Sequence, residues 1–396
     1  MKNIANLTIK KIAVLTGGYI PSYYAHTFSV MKMAQSFIDL GYYTEVIAPI
    51  SFRQILWKRK ISDLYSHYGV SQGVHIRWLF PSLHAFFLGN TPGDKLFCRK
   101  AAKYVKNHSF DLTYCRSYLI PYHTVKKGIS TLVESHTTHY DHPDLQKIYL
   151  VAREAAFKGL VTIHESIKME HVKRGIPTDK ILVLEDGVDI KLFELSDDDR
   201  LWKERLGFDL EKKYAMYAGQ LYPDKGIEII LQIAKLLENR QDLKFIIVGG
   251  FAKDRRHWES YCRKHEILNV QFTGFVPNST IPQYLKAADC LLLPYRMDMR
   301  HKFMDVHTTS PLKLFEYMAA KRPIIATGIS TVLKILKHGH NALIAKPGDL
   351  SEFRKQLEKA LDDRPFSLML GQNAFGDVSR YSWQNRCLSI LKICQN

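Results

Sequence analysis

At 396 residues the chain is long enough for two cores of ordinary domain size. Apolar residues make up 46% and charged residues 24%, which excludes a disordered or fibrous protein, and no apolar run approaches the roughly 20 residues of a membrane-spanning helix. The formal charge of +17 calls for an anionic partner: nucleic acid, a phosphorylated substrate or an anionic membrane face. Residues 1–190 hold 24 basic against 15 acidic side chains and the remainder 32 against 24, so the charge is a diffuse surface property and not a nucleic-acid arm.

In chain order, the first eleven residues carry three lysines and a broken apolar pattern, which does not read as a secretory signal. A strand is expected over 12–16, then the turn Thr16-Gly17-Gly18, then a helix over 29–40 with Val30, Met33, Ala34, Phe37 and Ile38 on one face. Gly41 stops that helix before a strand over 44–48. This β–turn–α–β opening argues for a parallel, doubly wound sheet. Further strands read at 112–115, 131–134, 160–163 and 181–184. The polar stretch from Ser196 to Arg200 and the charged residues up to Lys213 read as an interdomain connection. The rhythm then restarts: strands at 214–218, 244–248, 270–273, 290–293, 323–326 and 342–344, with a helix over 226–237. Two α/β halves result, 1–190 and 191–376, followed by a segment 377–396 whose helical spacing offers Trp383, Cys387, Ile390, Leu391 and Cys394 for burial, as a helix expected to pack back on the first half.

The six cysteines, Cys98, Cys115, Cys262, Cys290, Cys387 and Cys394, form no CxxC pair and sit mostly in apolar runs. A reduced, cytoplasmic protein without disulfides or a zinc site is expected.

Three motifs carry chemistry. The glycines at 17 and 18 allow backbone contact with a ligand, or simply a tight turn. Lys225, at a helix start, is electrostatically misplaced unless an anion lies opposite, though a solvated lysine is the ordinary alternative. In Ser310-Pro311-Leu312-Lys313-Leu314-Phe315-Glu316, the Ser-Pro pair suits a helix start. Glu316 follows on an apolar helix, where a carboxylate binds something such as two sugar hydroxyls or is held in a salt bridge.

Taken in order, these residues resemble the retaining nucleotide-sugar glycosyltransferases of family four, which have the GT-B fold of two Rossmann-like domains. The segment IPTDKILVLEDGVDIKLF (176–193) is similar to that family's hinge signature. Lys225-Gly226 matches its KG element, Gly274-Phe275-Val276-Pro277 its GFVP turn, and Ala287-Ala288-Asp289 with Leu293-Pro294 its AAD…LP element. SPLKLFEYMA matches its donor helix. The chain departs from the pattern at Thr308, where a first glutamate is usual, at Gln220 in place of an arginine, and at Asp186 in place of an asparagine.

The resemblance implies a donor held between the domains, mainly on the second. Lys225 and the amides of Thr309, Ser310, Leu312, Gly17 and Gly18 would meet the diphosphate. Glu316 would hold the ribose, Val276 would face the base, and Gln220 would stand beside the donor. His136 resembles the family's histidine near the transferred sugar. Arg116 and Thr308 are weaker candidates for sugar or acceptor contact. The catalytic set so implied is His136, Lys225 and Glu316, with no general base and no metal or other cofactor. Asp197-Asp198-Asp199 looks like a DxD metal motif but reads as a solvated charge run.

The function so implied is transfer of a hexose from a nucleotide-diphosphate sugar, UDP-sugar first and GDP-sugar next, to a glycan or lipid-linked acceptor. A GT-B-fold epimerase would share the donor site but needs flanking carboxylates that no motif supplies. A nucleic-acid-binding protein would explain the charge and leave the donor motifs without purpose, so nucleic acid is not expected as a partner. Finally, Arg53, Lys58, Arg59 and Lys60 surround Ile55, Leu56 and Trp57, with Leu83, Phe86, Phe87 and Leu88 following. These residues either fill the first core or rest, as a basic aromatic face, on the anionic inner surface of a membrane.

Overall fold

The computed structural model describes residues 9–58, 63–89, 94–137, 139–296, 300–301, 304–305 and 312–394. The chain divides into two compact units, one of Met1–Asp186 with Trp383–Asn396 and one of Gly187–Ser382.

Unit 1 contains β1 (Lys11–Thr16), β2 (Tyr43–Pro49), β3 (His75–Leu79), β4 (Leu112–Arg116), β5 (Thr131–Glu134), β6 (Phe157–Thr162) and β7 (Ile181–Val183). All pair in parallel, in the order β3-β2-β1-β4-β5-β6-β7. Sheets of this kind are covered by helices on both faces, so their strands are continuous apolar runs. Ile12 to Leu15 are fully buried accordingly. The first helix starts at Ala25, four residues before the expected position, and runs to Asp39.

Unit 2 contains β8 (Lys213–Ala218), β9 (Leu243–Val248), β10 (Val270–Gly274), β11 (Cys290–Leu293), β12 (Arg300–His301), β13 (Met304–Asp305), β14 (Ile324–Thr327) and β15 (Leu343–Ala345). Its main sheet has the order β10-β9-β8-β11-β14-β15, again all parallel. β12 and β13 form a separate two-residue antiparallel pair. One core lies on each face of the main sheet. Phe315, Met318 and Trp202 pack on one side, and Ile230, Leu231 and Phe353 on the other. Two doubly wound sheets of this kind are the expected GT-B fold.

Three expectations need correction or refinement. Residues 196–213 are no connection: Asp199–Arg205 is a helix of unit 2, with Trp202 buried and its indole N–H donated to the Ser196 carbonyl at 2.8 Å. Two of the three aspartates there are ion-paired, and the exposed Asp198 caps the helix by accepting from the Arg200 amide at 3.0 Å. Asp197 meets Lys286, and Lys321 at 2.8 Å. Asp199 meets Lys203 at 3.1 Å and Arg364 at 3.0 Å. The chain leaves unit 2 at 382/383, later than a boundary at 376/377. The helix Arg364–Val378 packs Ala374 and Val378 into the core of unit 2, and the Val188 amide donates to the Tyr381 carbonyl at 2.9 Å. From Trp383 to Lys392 the last helix belongs to unit 1, where Cys387 packs against Met33. The third concerns the aromatic segment of unit 1. Trp78 anchors inward, giving its indole N–H to the Ile20 carbonyl at 2.9 Å, but Phe52, Phe80, Leu83, Phe87 and Leu88 are exposed. They do not fill the core.

Candidate functional site

In open parallel sheets ligands bind outside the carboxyl ends of the strands, where the strand order reverses. That point lies between β1 and β4 in unit 1 and between β8 and β11 in unit 2. Both glycine turns singled out in the sequence follow directly, at Gly17-Gly18 after β1 and at Gly219-Gln220 after β8.

In unit 1 the carboxyl edge carries a buried ionic cluster. Glu134, the last residue of β5, is the hub. Its Oε1 lies 3.1 Å from Arg116 Nη1, 3.0 Å from Arg386 Nη2 and 2.5 Å from His136 Nε2. Arg116 closes the ring, with Nη2 2.9 Å from His136 Nδ1 and Nη1 donating to Ser29 Oγ at 2.5 Å. A guanidinium can only donate, so His136 Nδ1 accepts and the ring hydrogen sits on Nε2, beside the carboxylate. Arg386 also donates to the carbonyls of Leu184 and Glu185 at 2.5 and 2.6 Å. Burial, then the Arg116 charge, pull the His136 pKa below its ordinary value, so the imidazole is neutral near pH 7. Burial opposes the Glu134 carboxylate, but Arg386 and His136 outweigh it and hold the pKa below the usual range. Asp186 is buried close by and acts on both Arg116 and His136. Glu134, His136 and Asp186 present ligating atoms within 4.8 Å of one another, the arrangement among the described residues that could hold a metal, but two guanidiniums already face the shared carboxylate oxygen.

The glycine turn of unit 1 is built for close approach. A Cβ on Gly18 would stand 2.3 Å from His26 Nε2. The Gly18 amide is already given to Thr16 Oγ1 at 2.9 Å, which removes it from the expected phosphate donors. His26 is held neutral by burial and by Arg116, its pKa lowered to about 4.

In unit 2 the turn Pro223–Lys225 ends at Gly226, whose φ of 73° and distance from Pro294 leave no room for a side chain. A Cβ there would meet the Pro294 carbonyl oxygen at 1.6 Å. Lys225 is buried, 3.0 Å from Asp224 and 5.6 Å from the centre of the Tyr295 ring. The helix Leu312–Ala319 is tied to the end of β8 by Tyr317, whose hydroxyl accepts from the Ala218 amide at 2.7 Å. That helix carries Glu316, which accepts from Asn278 Nδ2 at 3.5 Å, and Asn278 follows directly on the Val276-Pro277 turn. It also carries Lys313, whose ammonium donates to the Tyr217 hydroxyl. Val276 packs against the core, and Gln220 gives its carbonyl to the Tyr217 hydroxyl at 2.6 Å.

Residues 198–377 match the family model of glycosyl transferases group 1. That match covers most of unit 2. An uncharacterized glycosyltransferase of Methanocaldococcus jannaschii is 25% identical over 235 residues, 57% of each chain. The D-inositol 3-phosphate glycosyltransferase of Corynebacterium glutamicum is 24% identical over 214 residues, 52% of this chain and 49% of that protein. The chain thus spans about half the length of the curated relatives it matches. Among solved structures, the Anabaena protein HepE in complex with UDP-glucose has a TM-score of 0.69 at 16% identity, covering 96% of this chain and 99% of the other. WaaG, a glycosyltransferase involved in lipopolysaccharide biosynthesis, has a TM-score of 0.67 at 15% identity over 96% and 99%.

Within the matched segment, Lys225, Gln220, Leu312, Glu316 and Val276 all belong to the stretches around β8, β10 and β11. Thr308, Thr309 and Ser310 lie outside the described residues. His136 and Arg116 are brought into direct contact in unit 1, together with Glu134, Asp186 and Arg386, which the motifs did not single out for a role. Residue type alone gave no signal for Arg386, which stands 252 positions from Glu134. A cavity of about 450 Å³ opens in unit 2 between Glu228, Arg296, Thr327, Lys346 and Phe353, and none of the predicted donor residues lines it.

Proposed function

We propose that the chain is a retaining hexosyltransferase that moves a sugar from a nucleotide-diphosphate donor, UDP-sugar first and GDP-sugar next, to the hydroxyl of a glycan or lipid-linked acceptor. The observation that carries this reading is the neighbourhood of Lys225, Lys313 and Glu316. A half-buried cationic pocket and a carboxylate stand together at the strand-order reversal of the group 1 domain. Lys225 neutralises the departing diphosphate, the Leu312 amide at the helix start adds a donor, and Glu316 accepts from the ribose hydroxyls. In the transfer, the bond from the anomeric carbon to the diphosphate oxygen breaks while the acceptor oxygen bonds to the same face. The acceptor proton passes to the leaving phosphate, so no protein base is required. His136, neutral and with its hydrogen on Nε2, is assigned to the transferred sugar, and Arg116 holds it in place. Gly17 contributes a backbone contact. No metal or other cofactor takes part.

Donor-dependent release of nucleoside diphosphate with glycosylation of an added acceptor, read by mass spectrometry, tests the class. Glu316→Ala and Lys225→Ala should each lower turnover on the order of 10²-fold. Chelator should leave the rate unchanged, and rescue by manganese after chelation would overturn the metal-free reading. A sugar inverted at one carbon without release of diphosphate would make the protein an epimerase.

The acceptor side is proposed to rest on an anionic membrane surface as a peripheral contact at the cytoplasmic face. Among the described residues no helix is long and apolar enough to cross a membrane. Support comes from an open aromatic patch in unit 1. Phe86 touches Phe80 and Phe87 with ring centres 5.1 Å away in each case, and Phe52 joins them at 6.4 Å. Leu83 is 78% exposed and Leu88 59% exposed beside them. Arg53 and Lys100 supply positive charge at the rim; Lys100 donates to the Phe80 carbonyl at 3.0 Å. The side chain of Lys58 and residues Arg59 and Lys60 lie outside the described residues. Such a patch sinks into a lipid interface while its cations meet anionic headgroups. Co-sedimentation with phosphatidylglycerol vesicles at low salt, lost in Leu83→Ser/Phe87→Ser, is the expected result. Equal recovery with neutral and anionic vesicles would remove the membrane from the proposal.

A further inference from the structure

Lys313 is the second residue of the helix Leu312–Ala319, a position where a lysine ordinarily points into water. Here its side chain reaches back over the turn that follows β8. The ammonium donates to the Tyr217 hydroxyl and stands 3.9 Å from the centre of that ring. It also stands 2.7 Å from where a Cβ would sit on Gly219, so the glycine is what admits it. The Tyr217 hydroxyl spends its own hydrogen on the Gln220 carbonyl at 2.6 Å, leaving an oxygen lone pair for the lysine. Tyr295 lies between the two cations of the site, 6.0 Å from Lys313 and 5.6 Å from Lys225. Lys225 has Asp224 as an ion-pair partner, whereas among the described residues no carboxylate lies within ion-pair distance of Lys313.

We infer that Lys313 is a second phosphate-binding cation of the donor site, placed against Gly219 to share the diphosphate with Lys225. This rests on the donor reading above. An ammonium has three hydrogens, and Tyr217 takes one, which leaves two for phosphate oxygens. The residue after Gly219 is the neutral Gln220, so the turn itself brings no charge to the phosphates. Burial, then repulsion from Lys225, push the Lys313 pKa well below its ordinary value, with Glu316 and Asp224 opposing. The groups facing it are Tyr217 from β8, Asp224 and Lys225 from the turn, Tyr295 after β11, and Glu316 on its own helix. A methionine would fill the same space without this loss of hydration, so a lysine there is explained by an anion that arrives and restores its charge. A bound diphosphate opposes that displacement and raises the Lys313 pKa again.

Isothermal titration with UDP, GDP and ADP first identifies the nucleotide that the unmodified protein binds. The same titration near pH 8, above the phosphate's own titration, in two buffers of different ionisation enthalpy reads proton uptake. Uptake is expected for the unmodified protein and should vanish in Lys313→Met. Unchanged diphosphate affinity in Lys313→Met overturns the inference, whatever the uptake. Lys313→Met should weaken diphosphate binding roughly ten- to hundredfold and leave the bare nucleoside unaffected. Lys313→Arg should retain the affinity without the uptake, and Gln220→Arg in the Lys313→Met background should restore the affinity. Equal weakening of nucleoside and diphosphate would mean a structural role only and overturn the inference. Weakening by Lys225→Ala but not by Lys313→Met would leave the donor reading standing and remove Lys313 from it. If no nucleotide binds the unmodified protein, the donor reading itself fails.

Discussion

The two sheets place charged clusters at equivalent points, the carboxyl edge where strand order reverses, yet the clusters are wired differently. In unit 1 the charges are paired with one another: Glu134 Oε1 receives Arg116, Arg386 and the His136 ring, and Arg116 and Arg386 also donate to Ser29 and to backbone carbonyls. In unit 2 Lys225 leans on Asp224, while among the described residues Lys313 meets a phenol and no carboxylate at ion-pair distance. A closed network fixes geometry, here the tautomer of His136. An open one keeps charge available for a ligand and accepts an unfavourable resting state. Removing a group should therefore cost stability in unit 1 and affinity in unit 2.

The largest separation should come from Arg386→Met, which leaves the buried Glu134 carboxylate with one of its two guanidinium partners. Its Oε2 is already buried without a hydrogen-bond partner. Loss of a buried ion-pair partner costs about 3–5 kcal/mol, and denaturant unfolding should show a drop of that size. A change below about 1 kcal/mol would mean that the cluster is not the locked network its distances describe.

Acid should divide the units next. The described histidines with displaced pKa values, His26, His67, His123, His136 and His171, all lie in unit 1, and each is lowered chiefly by burial. Each lowered value means that the unfolded chain binds a proton before the folded one does. The stability they leave intact at and above about pH 6.5 is lost as pH falls toward the folded values, about 4 for His26 and His171. Glu134, displaced downward, adds its loss only further into acid. Hydrogen exchange corrected for intrinsic rate, compared at pH 7 and pH 5, should show unit 1 opening first. Equal or earlier opening of peptides from 187–382 would break the contrast.

The smallest effect belongs to Lys313→Met. Its stability should stay within about 1 kcal/mol of the unmodified protein, or rise, because an incompletely satisfied ammonium gives way to an apolar chain of similar length. A thermal melt run beside that of Arg386→Met makes the comparison directly.

Most of the framework was legible because buried parallel strands leave continuous apolar runs. Leu243–Val248 and Cys290–Leu293 could hardly be anything else. The edge strand His75–Leu79 was not legible, since half-exposed positions admit His75 and Arg77 and erase the run. The helix Asp199–Arg205 was misread for a related reason. Its acidic start is matched by Lys203, Lys286, Lys321 and Arg364, partners up to 165 residues away, and a charge run looks solvated until those partners are placed. Lys225 and Glu316 stood out through motif spacing. Lys313 lies inside the same motif, but a lysine in a first helical turn carries no sign of where it points. Only Gly219 and Tyr217, almost a hundred residues earlier, show where it goes. Glu134 was a strand residue of the wrong polarity without Arg386 to explain it.

Arg386 arrives late. The chain completes the six-stranded main sheet of unit 2 before it returns to supply the second guanidinium that meets Glu134. On the ribosome, the first unit must wait through the synthesis of the whole second unit with a buried carboxylate facing Arg116 alone among its two guanidinium partners. The unit made first is thus the one finished last, and Arg386 reaches Glu134 only after the whole of unit 2 has been made.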